Sequence, residues 1–184
     1  MAREKFIKNV KCDPSNEDVK LLLQQLNSIE GHCEQKKENV IAQLFGRVGD
    51  SAVIEPDFDC KFGCNISVGR NFNCSSDCSF VDEHTISIGD NCFLAPLVTL
   101  DTSKQNGECE SSSIIIGDDV WLGCNSEIDA GVTLGNNVVV SANSTITKSF
   151  GDNVILAGSP AKIIGKNNRK NLLTDEIFSE FRSM

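Results

Sequence analysis

Few side chains in this chain can move a proton near neutral pH. Of 184 residues, two are histidines, His32 and His84. His84 directly follows Asp82 and Glu83. An imidazole beside carboxylates can take a proton from a hydroxyl, so Glu83 and His84 are candidate acid–base groups. The same triplet also fits a bland corner where the ring is satisfied by a neighbouring carboxylate. His32 lies between two segments that read as helices and belongs on the surface. Sulfur is more plentiful, with nine cysteines. Cys60/Cys64 and Cys74/Cys78 are each spaced four apart, which could suggest a metal, though no CxxC pair occurs. A polar stretch from Asp101 to Ser111 carries Glu108, Cys109 and Glu110. No nearby cation lowers the thiol pKa there, so a solvated loop is the better reading.

Composition narrows the class. The formal net charge is -9, and a nucleic-acid binder needs Lys and Arg in excess to neutralise phosphates. No run approaches the ~20 apolar residues of a membrane span. The start, Met1 to Phe6, is charged and lacks the apolar stretch of a secretion signal. A cytoplasmic protein with mostly free thiols is expected.

What positions these groups is a repeat. Ile88-Gly89-Asp90-Asn91-Cys92-Phe93 is echoed by Val68-Gly69-Arg70-Asn71, Ile116-Gly117-Asp118-Asp119 and Leu134-Gly135-Asn136-Asn137. The copies begin at 48, 68, 88, 116, 134 and 154, giving spacings of 20, 20, 28, 18 and 20. A coil of about 18 residues holds three hexapeptides, and the widest interval needs an extruded loop. The leading positions of the first side are Val48, Val68, Ile88, Ile116, Leu134 and Val154. Those of the second are Ile54, Cys74, Leu94, Leu122 and Val140, and of the third Cys60, Phe80, Leu100, Ile128 and Ile146. All are apolar or cysteine, as expected if each points into a prism and stacks about 4.8 Å from its counterpart in the next coil. Glycine follows where the chain bends. Cys64, Cys78 and Cys92 take the fifth position of their hexapeptides, as does His84, so packing as small hydrophobes explains these cysteines better than metal binding.

The predicted architecture is an all-β solenoid over 48–165, with a loop extruded at about 101–113. An N-terminal helical region spans 1–47 and a tail 166–184. Asp13-Pro14-Ser15 reads as a helix start, with Val19, Leu22, Leu23 and Leu26 on one face. A second helix from Cys33 to Phe45 presents Val40, Ile41, Leu44 and Phe45. These helices would cover strand edges at one end of the prism. Thr174-Asp175-Glu176 could cap a short helix carrying Ile177, Phe178 and Phe181.

Several stretches resemble the galactoside and maltose O-acetyltransferases. They are Val53-Ile54-Glu55-Pro56, Phe62-Gly63-Cys64-Asn65-Ile66-Ser67-Val68-Gly69, Leu94-Ala95-Pro96, Gly117-Asp118-Asp119-Val120-Trp121-Leu122-Gly123, Thr147-Lys148 and Gly158-Ser159-Pro160-Ala161-Lys162. The resemblance implies a left-handed parallel β-helix, a homotrimer, and acetyl-CoA as co-substrate in a groove between prisms. It implies a cofactor wall of Cys124, Ala142, Thr147, Lys148 and Lys162, where lysines can pair with CoA phosphates. Trp121 would border that groove. Ser75, Lys61 and Glu83 stand at the positions of family acceptor residues, though each differs from the family residue. The family's loop histidine falls near Gln105, which is no base. His84 and Glu83 are therefore the substitute candidates for activating a sugar-like hydroxyl acceptor. A catalytically silent trimer that only binds CoA is the alternative. A γ-class carbonic anhydrase shares the prism but needs three His ligands, so no metal is expected.

Overall fold

The apolar leading residues dictate the register of the whole backbone. In a computed structural model, which describes residues 16–29, 34–103 and 112–168, the chain winds as a parallel β-solenoid with three faces. The first face stacks Arg47–Val48, Ile66–Val68, Ile86–Ile88, Ile114–Ile116 and Thr133–Leu134. The second stacks Val53–Ile54, Asn73–Cys74, Phe93–Leu94, Trp121–Leu122, Val139–Val140 and Val154–Gly158, and adds antiparallel Ala161–Lys166 at its edge. The third stacks Asp59–Cys60, Ser79–Val81, Thr99–Asp101, Glu127–Asp129 and Thr145–Ile146. Val48, Val68, Ile88, Ile116 and Leu134 are direct partners along the first face. Ile54, Cys74, Leu94, Leu122 and Val140 follow suit on the second, and Cys60, Phe80, Leu100, Ile128 and Ile146 on the third.

One leading residue departs from expectation. Val154 belongs to the second face, where Leu156 pairs with Val140, and Phe150 takes the first-face place by bridging to Leu134. The reason lies in where the coils differ in length. The inward residue that ends the third face is followed by the first inward residue of the first face as Cys60 to Ile66, Phe80 to Ile86 and Leu100 to Ile114, but as Ile128 to Val132. All the extra residues, including the long loop, fall at this one corner. The last two coils lack the insertion, so the final repeat closes early.

The glycines that follow the first-side leading residues have a different cause from bending. A Cβ on Gly89 would stand 2.3 Å from Asp118 Oδ1 and 2.7 Å from the Gly117 backbone; one on Gly135 would stand 2.2 Å from Asp152 Oδ1. These oxygens accept backbone N–H groups of the preceding coil: Asp118 Oδ1 from Asp90 at 2.7 Å, Asp152 Oδ1 from Asn136 at 2.7 Å. Glycine leaves room for the suture. At the two other columns of corner positions the backbone is left-handed, with φ near +55° at Asn71, Asn91, Asp119 and Asn137, and at Asp57, Asp77, Asn125 and Asn143. Asn and Asp tolerate that region best after glycine.

Helix α1 (Asn16–Ser28) and helix α2 (Glu34–Leu44) lie over the first coil. Leu23, Leu26, Val40, Ile41, Leu44 and Phe45 are buried, and Val19 and Leu22 pack beside them, as their spacing predicts. Asn27 replaces the coil that is missing at this end. Its Nδ2 donates to Phe58 O at 3.0 Å and its Oδ1 accepts from Phe58 N at 3.2 Å. Phe45, Phe58 and Phe80 step edge-to-face into the prism.

Cys60, Cys74, Cys78 and Cys92 are free and buried in the core, as packing predicts. Burial pushes the Cys60 and Cys74 thiols up, and that of Cys92 to about 12, so they stay protonated and inert. Most described cysteines are free, as expected, but Cys64 departs from its expected place as a buried packing thiol: it is half-buried and disulfide-bonded. The helix start at Asp13, His32, Gln105, Glu108, Cys109, Glu110 and the segment 174–181 lie outside the described residues.

Candidate active site

The corner between the third and first faces carries most of the acid–base candidates. Two buried polar residues shape it. Asp82 is fully buried, and its Oδ1 accepts the Lys61 N–H at 3.0 Å and the Phe62 N–H at 2.8 Å. Asn65 Nδ2 donates to Asp82 O at 2.7 Å. Asp82 Oδ2 is buried with no hydrogen-bond partner among the described residues. Burial raises its carboxyl pKa, outweighing the amide donors that pull it down. From the next coil, buried Thr102 Oγ1 accepts the His84 N–H at 2.9 Å and donates to Val81 O at 2.7 Å. The segment 81–84 is thus tied to the coil on either side.

Between these ties stand the predicted residues. Glu83 is half-buried and ion-paired with Lys61. The Lys61 ammonium also lies 5.4 Å from the centre of the Phe62 ring. His84 is exposed. It does not take the inward fifth position that its hexapeptide suggested, because it belongs to the corner insertion; Val132 instead aligns with Ile114 and Ile86. The structure therefore brings Lys61, Glu83 and His84 onto one corner, open to solvent.

Ser75 is elsewhere. It follows Cys74 at the corner between the second and third faces, and the strand Ser79–Val81 separates it from Glu83. Cys124 and Ala142 occupy that same corner in later coils and are exposed, one above the other, with Asn143 N donating to Cys124 O at 2.9 Å. Thr147 and Lys148 end the third face at the opposite corner, and Lys148 Nζ sits 5.6 Å from the Phe150 ring centre. Lys162 is exposed on the terminal hairpin, opposite Ala157. The hairpin turn is pinned to the last coil: Ser144 Oγ accepts the Gly158 N–H at 3.2 Å, and Ser159 Oγ bonds Thr145 Oγ1 at 2.9 Å. Trp121 is half-buried on the outer side of the second face, its ring 4.4 Å from that of Phe93 at a 31° tilt.

Sequence reasoning passed over Asp82 as a neighbour of His84 and did not single out Thr102. A signal existed: both lie two residues beyond an inward leading residue, Phe80 and Leu100, so strand alternation turns them inward. Polar groups in that place are there to bond backbone.

A prism with apolar ladders, a corner loop and a terminal hairpin defines the hexapeptide-repeat class, and residues 113–148 match the family model described as the hexapeptide repeat of succinyl-transferase. The galactoside O-acetyltransferase of Escherichia coli (strain K12) is 37% identical over 160 residues, covering 83% of this chain and 79% of that protein. A crystal structure of a maltose O-acetyltransferase from Clostridium difficile 630 superposes with a TM-score of 0.79 at 36% identity, covering 83% of this chain and 86% of that one. A galactoside acetyltransferase solved in complex with coenzyme A also gives a TM-score of 0.79, at 34% identity, covering 86% and 85%. The chain belongs to the galactoside and maltose O-acetyltransferase family, and its solenoid is the left-handed parallel β-helix of hexapeptide-repeat acetyltransferases.

Proposed function

We propose that the chain transfers the acetyl group of acetyl-CoA to a hydroxyl of a sugar-like acceptor, as a homotrimer in the cytoplasm. The acceptor oxygen would attack the thioester carbonyl and the C–S bond would break. The hydroxyl proton would pass through a base to the departing CoA sulfur. The observation that carries the trimer is the division of the candidate residues. Ser75, Cys124 and Ala142 stand on one edge of the third face, while Lys61, Glu83, His84, Thr147 and Lys148 stand on the other. A single prism holds these edges apart, and neighbouring prisms can juxtapose them. Lys148 and Lys162 supply cations for CoA phosphates.

Glu83 and His84 remain the candidate bases, and Lys61 with Ser75 the acceptor contacts. The ion pair with Lys61 holds the Glu83 carboxylate in place, which suits it to orient an acceptor hydroxyl or an imidazolium. The free thiols of the described cysteines fit a reducing compartment, with bonded Cys64 as the exception.

Calorimetry with acetyl-CoA, followed by a thiol-release assay across sugar acceptors, tests the reading. Saturable binding and acceptor-dependent thiol release are expected. Absence of CoA binding would sink the transferase reading, and binding without turnover would favour the silent trimer. His84→Ala should lower turnover by about 10²-fold or more if the ring is the base; unchanged turnover removes His84 from the mechanism.

A further inference from the structure

We infer that Leu97 sets the acyl-chain selectivity of the transfer site. This rests on the acetyltransferase reading above. The backbone of Leu97 is left-handed, with φ +64°, a conformation that costs a branched, bulky side chain on the order of 1–2 kcal/mol. In the same column of the second-to-third corner the other described residues are Asp57, Asp77, Asn125 and Asn143. These side chains suit the conformation and can bond one another, as Asn125 Nδ2 does with Asn143 Oδ1 at 2.9 Å. Leucine can do neither, and it is 49% exposed. Leu97 is thus a strained, half-exposed leucine where the neighbouring coils carry Asp or Asn.

Its location gives the leucine a role. Leu97 N donates to Ser76 O at 3.2 Å, and Asn125 N donates to Pro96 O at 3.0 Å. Leu97 thus occupies the coil between Ser75, an acceptor candidate, and Cys124, a cofactor-wall candidate. Pro96, Cys124 and Ala142 are exposed along the same edge and add no charge. The thioester arm running along this edge toward the acceptor must bring its acyl group to the coil between them. An apolar branched side chain there meets the acyl methyl and blocks longer chains.

The test compares Leu97→Gly and Leu97→Asn with the unaltered protein, titrating acetyl-CoA and butanoyl-CoA by calorimetry. The unaltered protein should prefer acetyl-CoA. Leu97→Gly should cut that preference about tenfold, since a methylene or two in a tight pocket is worth that much. Both variants should keep or raise the thermal midpoint, because glycine and asparagine relieve the backbone. An acetyl-to-butanoyl ratio that is the same in Leu97→Gly as in the unaltered protein overturns the inference while leaving the transferase reading intact. Failure of the unaltered protein to bind either thioester overturns both.

Discussion

Asp82 shows how a single buried carboxyl can govern both a corner and a pH response. Its pKa is raised above the ordinary 3.8 by burial, so the folded chain holds that proton more tightly than the unfolded chain does. Stability linked to Asp82 is complete at low pH and falls as pH rises through the interval between the ordinary and the raised value. Asp82→Asn keeps an acceptor for the Lys61 and Phe62 amides and removes the charge. The difference in unfolding free energy between Asp82→Asn and the unaltered protein should therefore move in the variant's favour between pH 4 and pH 7. Denaturant titrations at both values read this directly, and a pH-independent difference would mean that Asp82 carries no excess proton in the fold. Ser75 and Lys61 are legible as candidates through family position alone, and Glu83 also through its place beside His84. What residue spacing could not supply was the side of the corner on which each one stands.

At the level of elements, the hexapeptide pattern specifies the faces because each inward residue must meet its partner one coil away. The same pattern is silent about corners, where no such stacking constrains the count. That is why the repeat places Val154 on the first face and His84 inward, whereas the insertion between third and first faces shifts both. The glycine rule belongs here too. Gly89 is required by the oxygen of Asp118 and the backbone of Gly117, not by its own dihedral freedom. Gly89→Ala should destabilise the fold by about 1–3 kcal/mol through overpacking, measured as a drop in the denaturant midpoint. Gly151, where a Cβ would meet nothing within 4 Å, is the control and should accept alanine within about 0.5 kcal/mol.

The whole molecule raises the question of assembly. The candidate groups occupy two edges of one face, and the described residues of a single chain do not bring them together. Sedimentation should give a species of about three times 20.0 kDa. A monomer of full activity would require a site on one edge only, and would undercut the division of labour proposed above. Mixing Ser75→Ala chains with Glu83→Gln chains offers a second route: if the site spans two copies, mixed trimers should recover part of the activity that each variant loses alone.

One consequence of the packing of Trp121 on Phe93 has to do with light. The chain contains one tryptophan and no tyrosine, so nearly all its ultraviolet emission originates from that single half-buried indole on the outside of the second face. Trp121 and Cys124 are close neighbours in one coil, which places this chromophore beside the edge where Leu97, Cys124 and Ala142 line up. Thioester binding or subunit docking on that edge would change the water around the ring. The colour and intensity of its fluorescence can then report either event in the unlabelled protein, with no background from a second emitter.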